Sequence, residues 1–518
     1  MKANQKRATL RLASIGFACL AACSFVGCGT SSGGGNAPSV QSPTGPSKTI
    51  DAATGKRVAV KENVITIFED ATKLAKSNPQ GAIDMFKKAA KEEDNFAEAW
   101  YNIGLLEQQL GNNSAAKDAY NKAIEMRPDM AASYTNMAKL LIDEGDTENA
   151  EKWLLKVVDE KNGVDPFNVD ANLNIGMLYR TKGEAILEKE RGGTEPKFSM
   201  EGAEKKGEIK NKEAYDMFAK SVVYVRRALA GDSNNIYCYE NLSAIYYLMN
   251  SLEVARLVCE QATIKYSEYN EELKKQLEAG RITQEEMERK AYTPKDLSAI
   301  YNTSGLIYLA EGEVSMGNAE FKKAVEADPT NVQAMLNVAG IAINVQDYPL
   351  AYDLYNKVLA LQPNNIEAYL SKGVAARGLK NIQEAETIYR DILAKHPDYP
   401  QAQFNLIVLI QEYHLKIDEA RELWVKFTED PVANKVIPGR VEEAKQRIKQ
   451  IDDMKEAQRK ADAEAALMQK KMEEMERLQK ELEAQEAAAA AAEAAANGEA
   501  PADGAAPADA APADGAAQ

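Results

Sequence analysis

Histidine is almost missing from this chain: its 518 residues hold two, His396 and His414. His396 precedes Pro397 and His414 stands near the end of a helical pattern, so both read as surface or packing residues. Cysteine is nearly as scarce. Three of the five, Cys19, Cys23 and Cys28, crowd into one short run with no histidine near them, which rules out the ligand spacing of a structural zinc site. The phosphate-cradling GxxxxGK[ST], the nucleophile elbow GxSxG and the zinc helix HExxH are all missing. Carboxylates are abundant but follow helix faces rather than pairing. No catalytic residue, metal, cofactor or small-molecule substrate is therefore expected. Excess positive charge is lacking too. With 63 Lys and Arg against 79 Asp and Glu, the formal net charge is −16, a surface that repels nucleic acid.

Long apolar runs are also wanting. The greasiest stretch, Leu12 to Ala22, falls short of the roughly 20 residues that span a bilayer. It follows a basic start with Lys2, Lys6, Arg7 and Arg11 and no acid, and leads into small residues, which is the layout of a secretory signal. Removing those four cations takes the formal charge from −16 to −20. Within this stretch Leu20-Ala21-Ala22-Cys23 and Phe25-Val26-Gly27-Cys28 resemble the bacterial lipobox, whose cysteine is acylated and becomes the new N-terminus. Cys23 is the favoured acceptor, because an aliphatic residue sits three places before it. Cys28 is the alternative, because a Gly/Ser tether follows it. The resemblance implies a signal peptide over residues 1–22, a flexible tether over 23–61 and a membrane partner reached through N-terminal lipid such as palmitate. The next residue would be Ser24 or Gly29 rather than Asp, which implies an outer-membrane anchor facing the periplasm. Only Cys238 and Cys259 remain outside this region, too few for a disulfide framework, although a single bond between them stays open.

The middle of the chain repeats itself. Residues 97–128 carry Trp100, Ile103, Gly104, Ala116, Tyr120, Ala123 and Pro128. Steps of 34 recover the pattern at 131–164 (Tyr134, Ala138, Ala150), 298–331 (Tyr301, Gly305, Phe321), 332–365 (Ala339, Ala351, Tyr355) and 366–399 (Tyr369, Gly373, Ala385, Tyr389). Other copies fall at 236–269, at 63–96 and at 400–433, the last with one residue added. A further copy is split between Gly176 and Ser221. This pattern resembles the tetratricopeptide repeat, W-x2-L-G-x2-Y, A-x3-F, P. The expected fold is all-α: a superhelical solenoid of about nine helix pairs over residues 62–433, with insertions at about 184–217 and 270–297. A charged helix, capable of forming a coiled coil, is expected over 439–484. Its apolar residues Ile448, Ile451, Met454, Met468, Met472, Met475, Leu478 and Leu482 form a seam that breaks around Lys460–Ala465. The Ala/Pro/Asp-rich residues 485–518 are expected to be disordered.

In such a solenoid function falls to the concave face. Asn102, Asn136, Asn174, Asn241, Asn337 and Asn405 each stand two residues before the small residue of a first helix, or its equivalent, so they are expected as a row along a peptide-binding groove. The row resembles the asparagine ladder of the protein O-GlcNAc transferases. Leu105, Leu173, Met177, Leu306, Leu336, Leu370, Val374, Phe404 and Val408 are expected beside it, with few cations, chiefly Lys139, Arg180 and Arg377. The whole arrangement resembles the TPR lipoproteins of pilus assembly, barrel assembly and, most of all, gliding motility. That resemblance implies a non-enzymatic scaffold for envelope proteins; a periplasmic chaperone or carrier of extended client peptides is the alternative. Metabolic labelling with palmitate is expected to mark the chain and to fail in Cys23→Ser. Label surviving in Cys23→Ser and lost in Cys28→Ser would move the anchor to the second site.

Overall fold

The computed structural model describes residues 48–50, 57–94, 96–191 and 211–496. The expected signal peptide, Cys23 and Cys28, most of the tether, residues 192–210 of the first insertion, and residues 497–518 lie outside these. Inside the expected tether, Lys48–Ile50 and Arg57–Ala59 pair as a two-stranded antiparallel ribbon, with Thr49 opposite Val58.

All else described is helical. Nine helix pairs follow one another: α1 (Glu62–Leu74) with α2 (Pro79–Glu92), α3 (Ala97–Gln109) with α4 (Asn113–Met126), and α5 (Ala131–Asp143) with α6 (Thr147–Val158). Then come α7 (Val169–Arg191) with α8 (Lys212–Gly231), and α9 (Ile236–Leu248) with α10 (Leu252–Glu278). A short helix, α11 (Gln284–Lys290), intervenes. The array resumes with α12 (Pro294–Ala310) and α13 (Val314–Ala327), α14 (Val332–Asn344) and α15 (Tyr348–Leu361), α16 (Ile366–Gly378) and α17 (Ile382–Lys395), and α18 (Pro400–Glu412) and α19 (Ile417–Glu429). Two helices close it, α20 (Pro431–Val436) and α21 (Pro438–Ala496). The all-α solenoid expected from the 34-residue period is the observed fold.

Local chemistry sets the pair boundaries. Asn235, Asn331 and Asn365 each cap a first helix by accepting the backbone N–H three residues on, at 2.9–3.4 Å. First helices end in a left-handed residue at the same place in the repeat: Gly111, Gly145, Asn250, Gly312, Gln346, Lys380 and Leu415 all have positive φ. The pairs then stack through buried side chains with no break in the core, Tyr120, Tyr355, Tyr389, Phe321 and Trp424 being the largest fully buried ones. A single pair buries too little to be stable, so the stack supplies the core.

Both insertions are built differently from the expectation. The first was read as a charged excursion over about 184–217. Instead α7 and α8 run on into it as a packed pair. Gly183 lies so close to Phe218 that a Cβ there would stand 2.7 Å from the ring, and Ala214 and Phe218 are fully buried. In the second, over 270–297, α10 runs on to Glu278 and the chain folds back. Asn270 clamps Tyr292 from both sides: its amide donates to the Tyr292 carbonyl at 2.7 Å and its Oδ1 accepts the Tyr292 N–H at 2.9 Å. Pro294 therefore opens α12 rather than closing an extension.

The C-terminal helix also departs from its expected bounds. It starts at Pro438 and continues through Ala496, into the stretch read as disordered from 485. Alanine, the best helix former, carries it there. Its first turns belong to the solenoid: Val441, Ala444 and Ile451 are buried with Trp424 and Phe427. Arg421 forks onto Asp452 at 2.6 and 2.8 Å, and Arg447 donates to Glu412 at 2.9 Å. From Glu456 to Glu493 every residue is exposed.

A non-glycine residue held in the left-handed region costs roughly 1–2 kcal/mol. Leu415 has φ 55° and is 72% exposed, so its side chain contributes little packing to offset that. Leu415→Gly is expected to raise stability by up to about 1 kcal/mol, since part of the relief is returned as unfolded-state entropy. Hydrogen exchange across α18 and α19 would read it, and faster exchange there would contradict it.

Candidate functional site

Successive first helices touch one another along the array: α3 with α5, α5 with α7, α7 with α9, α9 with α12, α14 with α16 and α16 with α18. They therefore form the inner wall of the superhelix, and the side chains between them line its groove. The apolar residues expected there divide into two sets. Met177 is 37% exposed, and Leu173, Leu306, Leu336 and Leu370 are half-buried, so these five offer accessible apolar surface in the middle of the array. Leu105, Val374, Phe404 and Val408 are buried. Phe404 and Val408 share a cluster with Ile437 and Val441, and the Arg440 guanidinium lies 5.0 Å over the Phe404 ring. The last repeat's share of the groove is thus filled by α20 and α21.

The asparagine row is where the sequence placed it, but it is not open. Asn102, Asn136, Asn241, Asn337 and Asn405 are buried and Asn174 is half-buried. Their amides are engaged inside the protein. Asn136 donates to the Tyr101 hydroxyl at 2.9 Å and Asn337 donates to the Asn302 carbonyl oxygen at 2.9 Å, each bond crossing from one first helix to the one before it. Asn241 and Asn405 instead donate to backbone carbonyls of their own helices, Tyr237 and Gln401, at 2.9 Å each. The residue facing them from the preceding repeat decides which. Where it is polar, Tyr101 or Asn302, the amide crosses. Where it is Leu173 or Leu370, the amide turns back. A buried amide without a partner costs about 1–3 kcal/mol, so either solution is enforced. The expectation of a row free to read a partner's backbone is corrected accordingly: the printed bonds tie or satisfy the inner wall.

Charge in the groove is likewise inward-looking. Lys139 is exposed, whereas Arg180 and Arg377 are buried. Arg180 stands 3.6 Å from Glu184. Burial pushes the Glu184 and Glu240 carboxyls above the usual range, and Arg180 pulls both part of the way back. Tyr237 donates to Asp296 at 2.6 Å, closing the acidic side of this patch. The sequence did not single out these carboxylates, because no spacing along the chain brings α7, α9 and α12 together.

The two thiols are structural. Cys238 and Cys259 are both free and buried, in different core clusters, and burial pushes each thiol up to about 12. The thiolate is the reactive form, so neither is a nucleophile near neutral pH. Among the described residues no group of three His, Cys, Asp or Glu side chains is placed to hold a metal ion, and no helix is long and apolar enough to cross a membrane. Iodoacetamide at pH 8 is expected to leave both thiols unmodified in the folded chain and to alkylate both in denaturant. Rapid labelling of either in the native state would contradict the burial.

Three segments match tetratricopeptide repeat models: residues 97–130, 131–162 and 342–408. A human protein, the O-mannosyl-transferase TMTC3, is 28% identical over 109 residues, which is 20% of this chain but 12% of that protein, so the likeness is confined to a small part of it. Among solved structures, Pseudomonas aeruginosa PilF is 17% identical and covers 56% of this chain and 97% of its own, with a TM-score of 0.36. PilW, titled a type IV pilus biogenesis factor, is 14% identical over 53% of this chain and 97% of its own, with the same TM-score of 0.36. YrrB, titled a TPR protein with an unusual peptide-binding site, is 14% identical over 48% and 95%, at a TM-score of 0.28. Tetratricopeptide repeats bind protein partners. On the repeat period, the nine stacked pairs and the three matched segments, the chain is a tetratricopeptide repeat protein.

Proposed function

We propose that this chain is a non-enzymatic scaffold lipoprotein, held at the periplasmic face of an outer membrane by acyl chains on Cys23, or on Cys28 in its place. In this reading the groove grips partner proteins of a cell-envelope machine, with gliding motility or pilus assembly the machines its sequence layout fits. The observation that carries the reading is the accessible apolar stretch of the inner wall, Leu173, Met177, Leu306, Leu336 and Leu370, on first helices locked to one another. A rigid wall with apolar side chains suits an amphipathic helix or strand of a folded partner. The anchor rests on the basic start, short apolar run and lipobox-like cysteines, since several acyl chains together hold a soluble body at a membrane.

The alternative, a chaperone or carrier reading the backbone of extended clients, draws its support from the asparagine row. Because the observed amide bonds run within the protein, that reading loses its donors. A scaffold with few fixed partners is the better fit.

Crosslinking mass spectrometry on intact cells tests this directly. The wild-type chain is expected to crosslink through α7, α12, α14 and α16 to a small fixed set of envelope proteins. Met177→Glu with Leu370→Glu is expected to weaken those crosslinks about tenfold or more, since each charge must be desolvated on docking. Circular dichroism should show the helices retained. Suppressed aggregation of many unrelated clients, with no fixed partner, would favour the chaperone reading.

A further inference from the structure

The groove leaves one apolar surface unused. Beyond Glu456 α21 touches nothing, yet it carries Met468, Met472, Met475 and Leu482 at 57–69% exposure. These residues share one face. With Gln458, Ala465, Met472 and Gln479 at the first core position of a heptad, the fourth position falls on Ala461, Met468, Met475 and Leu482. The stripe therefore continues through residues 460–465, where alanines fill the seam instead of breaking it. Leu478 borders it. The opposite face carries solvated ion pairs such as Lys460–Glu456 and Lys480–Glu476.

We propose that this part of α21 is a dimerisation helix, pairing two copies of the chain as a parallel, in-register, two-stranded coiled coil over Ala461–Leu482. Three features select a second copy. In this register the flanking Lys471 of one helix meets Glu476 of the other, and the symmetry makes the attraction twice. Gln458 and Gln479 each oppose their own counterpart, so the amides can pair across the seam, whereas a shifted register buries them against methionine. Third, the helix is released from its own solenoid at a definite place. Asp452 bonds Arg421, Lys455 bonds Asp418, and the next residue onward is free on all sides. The pairing surface is separate from the groove, so it stands or falls independently of the partner reading above.

The test uses the purified full chain in sedimentation equilibrium. A species of twice the 56.8 kDa chain mass is expected at micromolar concentration. Lys471→Glu should weaken the dimer about tenfold, and adding Glu476→Lys should restore it, a rescue that a general loss of helix would not show. Met475→Cys should form a symmetric disulfide under mild oxidation, because the same residue faces itself in this register. Met468→Lys with Met475→Lys should give a monomer with unchanged helicity, since neither side chain packs on anything in the single chain. A monomer at all concentrations overturns the proposal, as does a dimer indifferent to both lysines. A monomeric chain whose α21 seam crosslinks instead to another protein overturns it as well, and gives the surface a different occupant.

Discussion

Everything in this molecule depends on how closely two antiparallel helices approach within each repeat. A Cβ built on Gly104 would lie 2.5 Å from the Tyr120 ring, one on Gly305 2.6 Å from Phe321, and one on Gly373 2.7 Å from Tyr389. The contact is a ring laid flat against bare backbone. It requires the small residue on the first helix and the large one on the second, and no other pairing of sizes fills that gap without a void or a clash. Once the ring is seated, the second helix presents its next face to the following repeat. In this way one local contact, repeated, sets the stacking of the whole array and the position of the inner wall.

That contact is also why the repeats were legible in the sequence. The period of 34, the small–aromatic spacing and the left-handed turn are all local to a repeat, and each leaves a residue type at a fixed distance. The insertions hid what they did because their composition is charged. Yet Gly183 stands seven residues after Gly176, two helical turns on, and Phe218 seven before Val225. The same small–large device simply continues outward along α7 and α8. It could have been found by extending the pattern past the repeat instead of stopping at its end.

The asparagine row shows the opposite case. Position was legible, because the repeat period puts the amides in line. Role was not, because it depends on a residue 35 positions earlier, Tyr101 for Asn136 and Asn302 for Asn337. A buried amide takes the nearest acceptor available, and which acceptor is near is settled by the neighbouring repeat. Burial of Phe404 and Val408 has a similar origin. Their place on the inner wall follows from the period, but the helices that cover them lie after the period has ended.

The last helix joins two regimes within one continuous backbone. Val441, Ala444, Ile448 and Ile451 recur at alternating three- and four-residue steps and seat it against α19. Its other apolar stripe is rotated from the first, passing through Met454, Ala461 and Met468, so the helix cannot bury both against the same surface. The solenoid's need for a cap consumes one face over the first turns. What remains is a rod of about 1.5 Å per residue carrying a second, methionine-rich face away from the repeats. Flexible methionine tolerates imperfect packing, so specificity in such a seam has to come from its polar members. That is where Gln458, Gln479, Lys471 and Glu476 stand.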